Sequence, residues 1–173
     1  MKLVLPSIFT ALAFAGAANA AGTERMTRTE QVKKIEYYID YTWHRQKIMG
    51  ISRTETSRIY LRTKSHAFRG WVVRYWRKVA NRTRVQFHSP PYLSAWLCIH
   101  RYEGSWKDTG APFWGGLQMD SSFQSSYGAY LLRMKGTANN WTPLEQIWTA
   151  ERARRSGRGF HPWPNTARTC NLI

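Results

Sequence analysis

Residues 101–120, RYEGSWKDTGAPFWGGLQMD, gather side chains suited to acid–base chemistry on a sugar. Glu103 closes an apolar, helix-like run and stands directly before Gly104. A carboxylate at that end of a helix opposes the macrodipole, so the placement carries a local cost that favours a use for the group. Tyr102, Trp106, Phe113 and Trp114 are close by in sequence and could wall a carboxyl group from water. Burial of that kind raises a carboxyl pKa by penalising the ionised form, which suits a general acid. The same rings suit the apolar C–H faces of a pyranose. Gly115 and Gly116 would let a strand edge pass close to a ligand, and Gln118 offers both a donor and an acceptor. The competing reading makes Glu103 an exposed helix end. Asp108 and Asp120 are the candidates for a second carboxylate, although Asp120 also reads as the cap of the next helix.

The element that must position Glu103 is a helix from Pro91 to about Tyr102. Trp96, Ile99, His100 and Glu103 share one face of it by the i, i+3, i+4, i+7 rule, and Gly104 ends it. Residues 105–119, with Gly110, Pro112, Gly115 and Gly116 among aromatics, predict a small hairpin or loop. Asp120 should cap a helix over Ser121 to about Lys135. Thr142-Pro143-Leu144-Glu145 has the form of a capping box with proline at the first helical position, opening a helix expected to end at Gly157.

The first twenty residues have a short positive start at Lys2, an apolar run from Leu3 to about Gly16, and Ala18-Asn19-Ala20 as a small-residue cleavage pattern. That layout predicts a secretory signal peptide, with an uncleaved anchor as the competing reading. The expected mature protein therefore begins near Ala21 and is secreted; its charge and the resemblance given below add cell-wall association. Cys98 and Cys170 are the only cysteines; in an exported chain such a pair predicts a disulfide. It would close a loop of about 70 residues, worth on the order of 4 kcal/mol in the chain-entropy account. Cys98 lies about 140° around the helix from Glu103, so the bond is expected to clamp the back of the helix and leave Glu103 facing forward. Neither cysteine has metal-ligand spacing, and no metal or cofactor is expected.

Three segments result: 1–20 as the signal peptide, 21–89 as a basic helical region, and 90–173 as the domain carrying Glu103, with Pro90-Pro91 at the break. In the basic region, Ile35, Tyr38, Ile39, Thr42 and Trp43 fall at helical spacing between Glu30 and Met49, with Gly50 as the stop. A polar connector from Ser52 to about Lys64 follows. A second face is traced by Ala67, Phe68, Trp71, Tyr75 and Val79, and its aromatic stripe is expected to pack inward. The formal net charge is +16, which predicts an anionic partner. Export and the absence of a recognised motif argue against nucleic acid. A wall polymer or an anionic membrane surface remains, with contact through basic residues such as Arg74, Arg77 and Lys78.

The order of residues after Cys98 resembles the transglycosylase-like domain of actinobacterial resuscitation-promoting factors and, more widely, the lysozyme-like superfamily. The marks are Glu103 closing a helix, Trp106, Thr109-Gly110, Phe113-Trp114, and Gly115-Gly116-Leu117-Gln118. Phe123, Tyr127-Gly128, the Pro-led helix ending in Ser156-Gly157, and Pro162-Trp163-Pro164 before Cys170 complete the set. The resemblance covers close to half the chain and none of the basic region. It implies a small lysozyme-like α+β domain, mostly helical with a short hairpin, that cleaves the glycan strands of peptidoglycan. It implies Glu103 as the general acid and Thr109 and Gln118 lining the cleft; Trp106 and Trp114, as aromatic walls, are the further candidates for substrate contact. Two products are open: an anhydro sugar, made by a lytic transglycosylase, or a reducing sugar, made by a muramidase. Other cell-wall enzymes are possible partners. The alternative function is non-catalytic binding of a wall or membrane surface through the basic helices.

Overall fold

The computed structural model describes residues 26–173. The expected signal peptide and the mature start at Ala21 lie outside the described residues. Two long helices come first, α1 (Arg28–Met49) and α3 (His66–His88), with the single turn α2 (Ile59–Arg62) in the connector between them. Thr27 and Glu30 form a capping box that opens α1. Gly50 closes it at φ 63°, the left-handed conformation that glycine adopts without a Cβ penalty. Ser65 caps α3 by accepting the N–H of Phe68.

α1 and α3 enclose a core of their own built on Ile35, Ile39, Val72, Val73, Trp76 and Val79, with Tyr60 of α2 added. This corrects the expected packing face of α3. Phe68, Trp71 and Tyr75 are all exposed, and the buried side is rotated around the helix to Val72, Val73, Trp76 and Ala80. Val72, Val73, Trp76 and Val79 meet α1, while Phe68, Trp71 and Tyr75 stay in solvent.

The second half is mostly helical with one small antiparallel sheet, an α+β arrangement. Its elements are α4 (Leu93–Glu103), β1 (Phe113–Trp114), β2 (Met119–Asp120), α5 (Ser121–Lys135), α6 (Pro143–Ala153) and α7 (Pro164–Thr169). Phe113 pairs with Asp120 and Trp114 with Met119. Asp120 caps α5 and Thr142 caps α6 through a full capping box, with Pro143 in the first turn. Regular α geometry in α6 ends at Ala153, and a π turn over Arg154–Arg158 carries the chain to Gly157 at φ 99°. A continuous core joins Trp96, Ile99, Leu117, Met119, Trp141, Ile147 and Trp148.

The two halves are joined beyond the Pro90-Pro91 break. Ile48 and Met49 from the end of α1, and Phe87 from the end of α3, belong to the larger core. The Trp148 indole donates to the Phe87 carbonyl at 2.8 Å, and His44 of α1 meets the Tyr130 hydroxyl of α5 at 2.7 Å. No helix among the described residues is long and apolar enough to cross a membrane.

The predicted disulfide is present, joining Cys98 of α4 to Cys170 after α7, with the Cα atoms 6.1 Å apart. The bond spans 72 residues in sequence. Its reduction should cost on the order of 4 kcal/mol of folding stability, read as a lower urea midpoint with reductant than without. An unchanged midpoint would show that the tail stays docked without the bond.

Candidate active site

α4 buries Ala95, Trp96 and Ile99 in the core and delivers Glu103 at its last turn, half-buried. The carboxylate lines a cleft of 310 Å³ with Phe113, Gln118, Pro162, Trp163, Pro164 and Asn165. An adjoining depression of 140 Å³ shares Phe113, Gln118, Pro162 and Trp163 and extends to Asp120 and Arg158. The cleft thus has three contributors: the end of α4, the hairpin, and the proline-rich tail.

Glu103 makes no ion pair among the described residues. Its Oε1 accepts a hydrogen bond of 2.7 Å from the hydroxyl of Thr166 on α7. The same hydroxyl lies 3.3 Å from the Trp163 carbonyl oxygen. A hydroxyl both donates and accepts, so Thr166 can serve Glu103 in either protonation state. It donates to the carboxylate. It can accept from the protonated acid when its own hydrogen turns to the Trp163 carbonyl.

The expectation that the disulfide clamps the side of α4 away from Glu103 is corrected by this geometry. α7 lies against α4 in the opposite sense, so Cys170 meets Cys98 while Thr166 meets Glu103. One short helix holds both the covalent anchor and the carboxylate.

Four aromatics were expected as walls, and only Phe113 lines the cleft. Tyr102 is exposed. Trp106 stacks on the His100 ring with centroids 3.8 Å apart, and both Trp106 and Trp114 pack against the main core instead of the cleft. Thr109 is exposed on the loop and is not among the lining residues. Gln118 does line the cleft. Its amide nitrogen donates to Asp108 Oδ2 at 2.8 Å and to the Gly115 carbonyl at 3.0 Å, which leaves its oxygen as an acceptor for a ligand.

The paired glycines serve internal packing. A Cβ on Gly115 would lie 2.5 Å from Gln146 Oε1, and one on Gly116 would lie 2.5 Å from His100 Nδ1. The Gly116 N–H donates to Gln146 at 2.8 Å, and the Gln146 amide nitrogen donates to the carbonyls of Trp106 and Ala138. This buried amide ties the 104–118 loop to α6, and the close approach leaves no room for a side chain on the hairpin.

Neither candidate for the second carboxylate is uncommitted. Asp108 accepts from the Gly110 N–H and from Gln118, and these bonds hold its carboxyl below the usual range, the backbone contribution leading. Asp120 accepts from the Phe123 N–H at 2.6 Å and the Ser122 hydroxyl at 2.7 Å, and is likewise held low, with Phe123 the larger cause. Glu145 is taken up by Lys135 and the α6 capping box, and Glu151 by Arg154 and the Trp96 indole.

Sequence reasoning missed Thr166 as a partner and Asn165 as a lining residue. The signal that could have found Thr166 is its spacing. It lies one helical turn before Cys170, and Glu103 lies just over one turn after Cys98, so docking two antiparallel helices through the disulfide brings them together.

No protein-family model matches the chain, and no curated protein or solved structure matches it.

Because the fold favours ionised Asp120, its contribution to stability is present above the unfolded-state pKa and is lost as pH falls through the depressed folded value. Asp120→Ala should therefore cost about 1 kcal/mol near neutral pH. The gap from wild type should close as the solution is acidified through the carboxylate range, followed by urea unfolding at a series of pH values.

Proposed function

We propose that this protein is a secreted glycosidase that cleaves the N-acetylmuramic acid–N-acetylglucosamine strand of peptidoglycan, with Glu103 as general acid and then base. The observation that carries the reading is the Glu103 carboxylate in an open cleft, unpaired with any cation among the described residues and held by a neutral hydroxyl. A lysozyme-like arrangement, with an acid at the end of a helix facing a hairpin, agrees with that placement.

Protonated Glu103 would give its proton to the glycosidic oxygen as the bond from that oxygen to C1 breaks. Positive character then develops at C1. Asp108 and Asp120 are both engaged by N–H or O–H donors, which favours the substrate's own N-acetyl oxygen as the group that stabilises C1. Ionised Glu103 would next take the proton of the sugar's 6-hydroxyl while that oxygen bonds to C1. The result is a 1,6-anhydro product, the outcome of a lytic transglycosylase. The Gln118 amide oxygen would orient the strand by accepting from a hydroxyl or N-acetyl N–H.

Glu103→Gln keeps the shape of the side chain and an acceptor for Thr166 but has no proton to transfer. Release of soluble muropeptides from purified peptidoglycan should fall at least about a hundredfold. In mass spectra, anhydro products from the wild type that vanish in the variant would support the transglycosylase step. Reducing ends would instead make water the acceptor, and no wild-type product from several walls would sink the enzyme reading.

Thr166 is a positioning residue on this account. Thr166→Val should lower kcat on the order of tenfold to a hundredfold, the worth of one hydrogen bond to a charged group. KM should change little, and Thr166→Ser should restore the rate. A KM effect alone, or no rescue by serine, would assign Thr166 to packing.

A further inference from the structure

The aromatic stripe of α3 is exposed, and nothing in the active-site account uses it. Phe68, Trp71 and Tyr75 are 38%, 53% and 40% exposed. Their rings form a short ladder, with centroids 6.0 Å and 5.7 Å apart and planes tilted by only 26° and 18°. Ile59, 60% exposed, adds an aliphatic group at the edge of the apolar depression beside them. Burying such rings at a monomer surface is what an interface does, and leaving them in water is unfavourable.

The row continues as a charged one. Steps of three and four residues carry Phe68, Trp71 and Tyr75 on to Lys78 and Arg82, both exposed on the same side of the helix. α3 holds six Lys and Arg and no Asp or Glu. Toward α1 lies a groove of 690 Å³ whose lining includes Lys34, Arg74 and Arg77. Arg74 also stands three residues from Trp71, so it borders both the ladder and the groove.

We propose that this face of α3 docks on an anionic lipid bilayer. Phe68, Trp71 and Tyr75 enter the boundary between headgroups and acyl chains, and Arg74, Lys78 and Arg82 meet lipid phosphates. Aromatic rings prefer that depth because it accepts both an apolar body and a polar edge. Each Lys or Arg near an anionic surface adds attraction that salt screens. A second copy of the chain fits poorly, since two acid-free α3 faces would repel. A neutral glycan also fits poorly, because the stacked rings cover part of each other's faces and the cations would have no partner. This inference does not depend on the glycosidase reading.

The test uses the mature chain and large unilamellar vesicles of phosphatidylglycerol mixed with phosphatidylcholine, against phosphatidylcholine alone. Wild type should sediment with the anionic vesicles only, and less so as salt is raised. Phe68→Ala/Trp71→Ala/Tyr75→Ala should abolish sedimentation, and Lys78→Ala/Arg82→Ala should weaken it on the order of thirtyfold. Because these side chains lie outside the core, circular dichroism of the variants should match wild type, which separates lost binding from a lost fold. Bromine-labelled lipid should quench tryptophan fluorescence in wild type, and Trp71→Phe should bind while losing most of that quenching. Absence of binding to anionic vesicles overturns the proposal, as does binding that the aromatic variant leaves intact. Retention on purified wall instead of vesicles, lost in the aromatic variant, would make the ladder a wall-binding platform. Self-association lost in that variant would make it a homodimer surface. Either result also overturns the lipid assignment.

Discussion

The docking of the C-terminal tail against α4 is the constraint on which the cleft depends. The disulfide fixes Cys170 to Cys98, the Trp163 indole donates to the Leu117 carbonyl at 2.7 Å, and Thr166 reaches Glu103. Trp163 also packs edge-on against Trp96 and Phe123, with ring centroids 5.2 Å and 5.5 Å away. Pro162, Trp163, Pro164 and Asn165 make one wall of the cleft, so without this docking Glu103 would be a solvated helix end. A covalent bond holds the tail, and the packed indole sets its depth.

Opposite that wall, the hairpin is positioned from inside. Gln146 is fully buried, and its amide satisfies one backbone N–H and three backbone carbonyls, of segments as far apart in sequence as Trp106 and Trp141. Leaving any of these groups unpaired in the core would be costly. The hairpin therefore has little freedom in distance from α6, and Gln118 inherits a fixed place at the cleft. Acidic groups in this half are nearly all engaged by N–H, O–H or cationic donors. Glu103 differs in having a single partner, a hydroxyl that can accept as well as donate.

The basic half is built by the same rules but resolves them differently. Its core is completed by aliphatic residues and Trp76, with the ends of α1 and α3 extending into the larger core. That leaves one flank of α3 without apolar work to do inside the protein, yet the flank is aromatic. Lys78, Arg82 and the exposed rings are thus features of one surface.

Local chemistry was legible from the residues. A capping box, an N-cap and a glycine stop act within one turn, so Thr142-Glu145, Asp120 and Gly50 mark helix ends wherever the chain folds. The disulfide was legible because only two cysteines exist to pair, and the hairpin from its glycines and aromatics. What tertiary structure alone decided is which side of each element faces what. Helical spacing names the residues that share a face of α3 but cannot say which face meets α1, because several sets are apolar; packing chose Val72, Val73 and Trp76 and left Trp71 outside. Spacing likewise could not show that Trp106 and Trp114 turn to the core, that the two glycines make room for Gln146 and His100, or that Thr166 reaches Glu103 from 63 residues away in sequence. Those outcomes depend on how whole elements fill space together, and sequence-local energies do not contain that information.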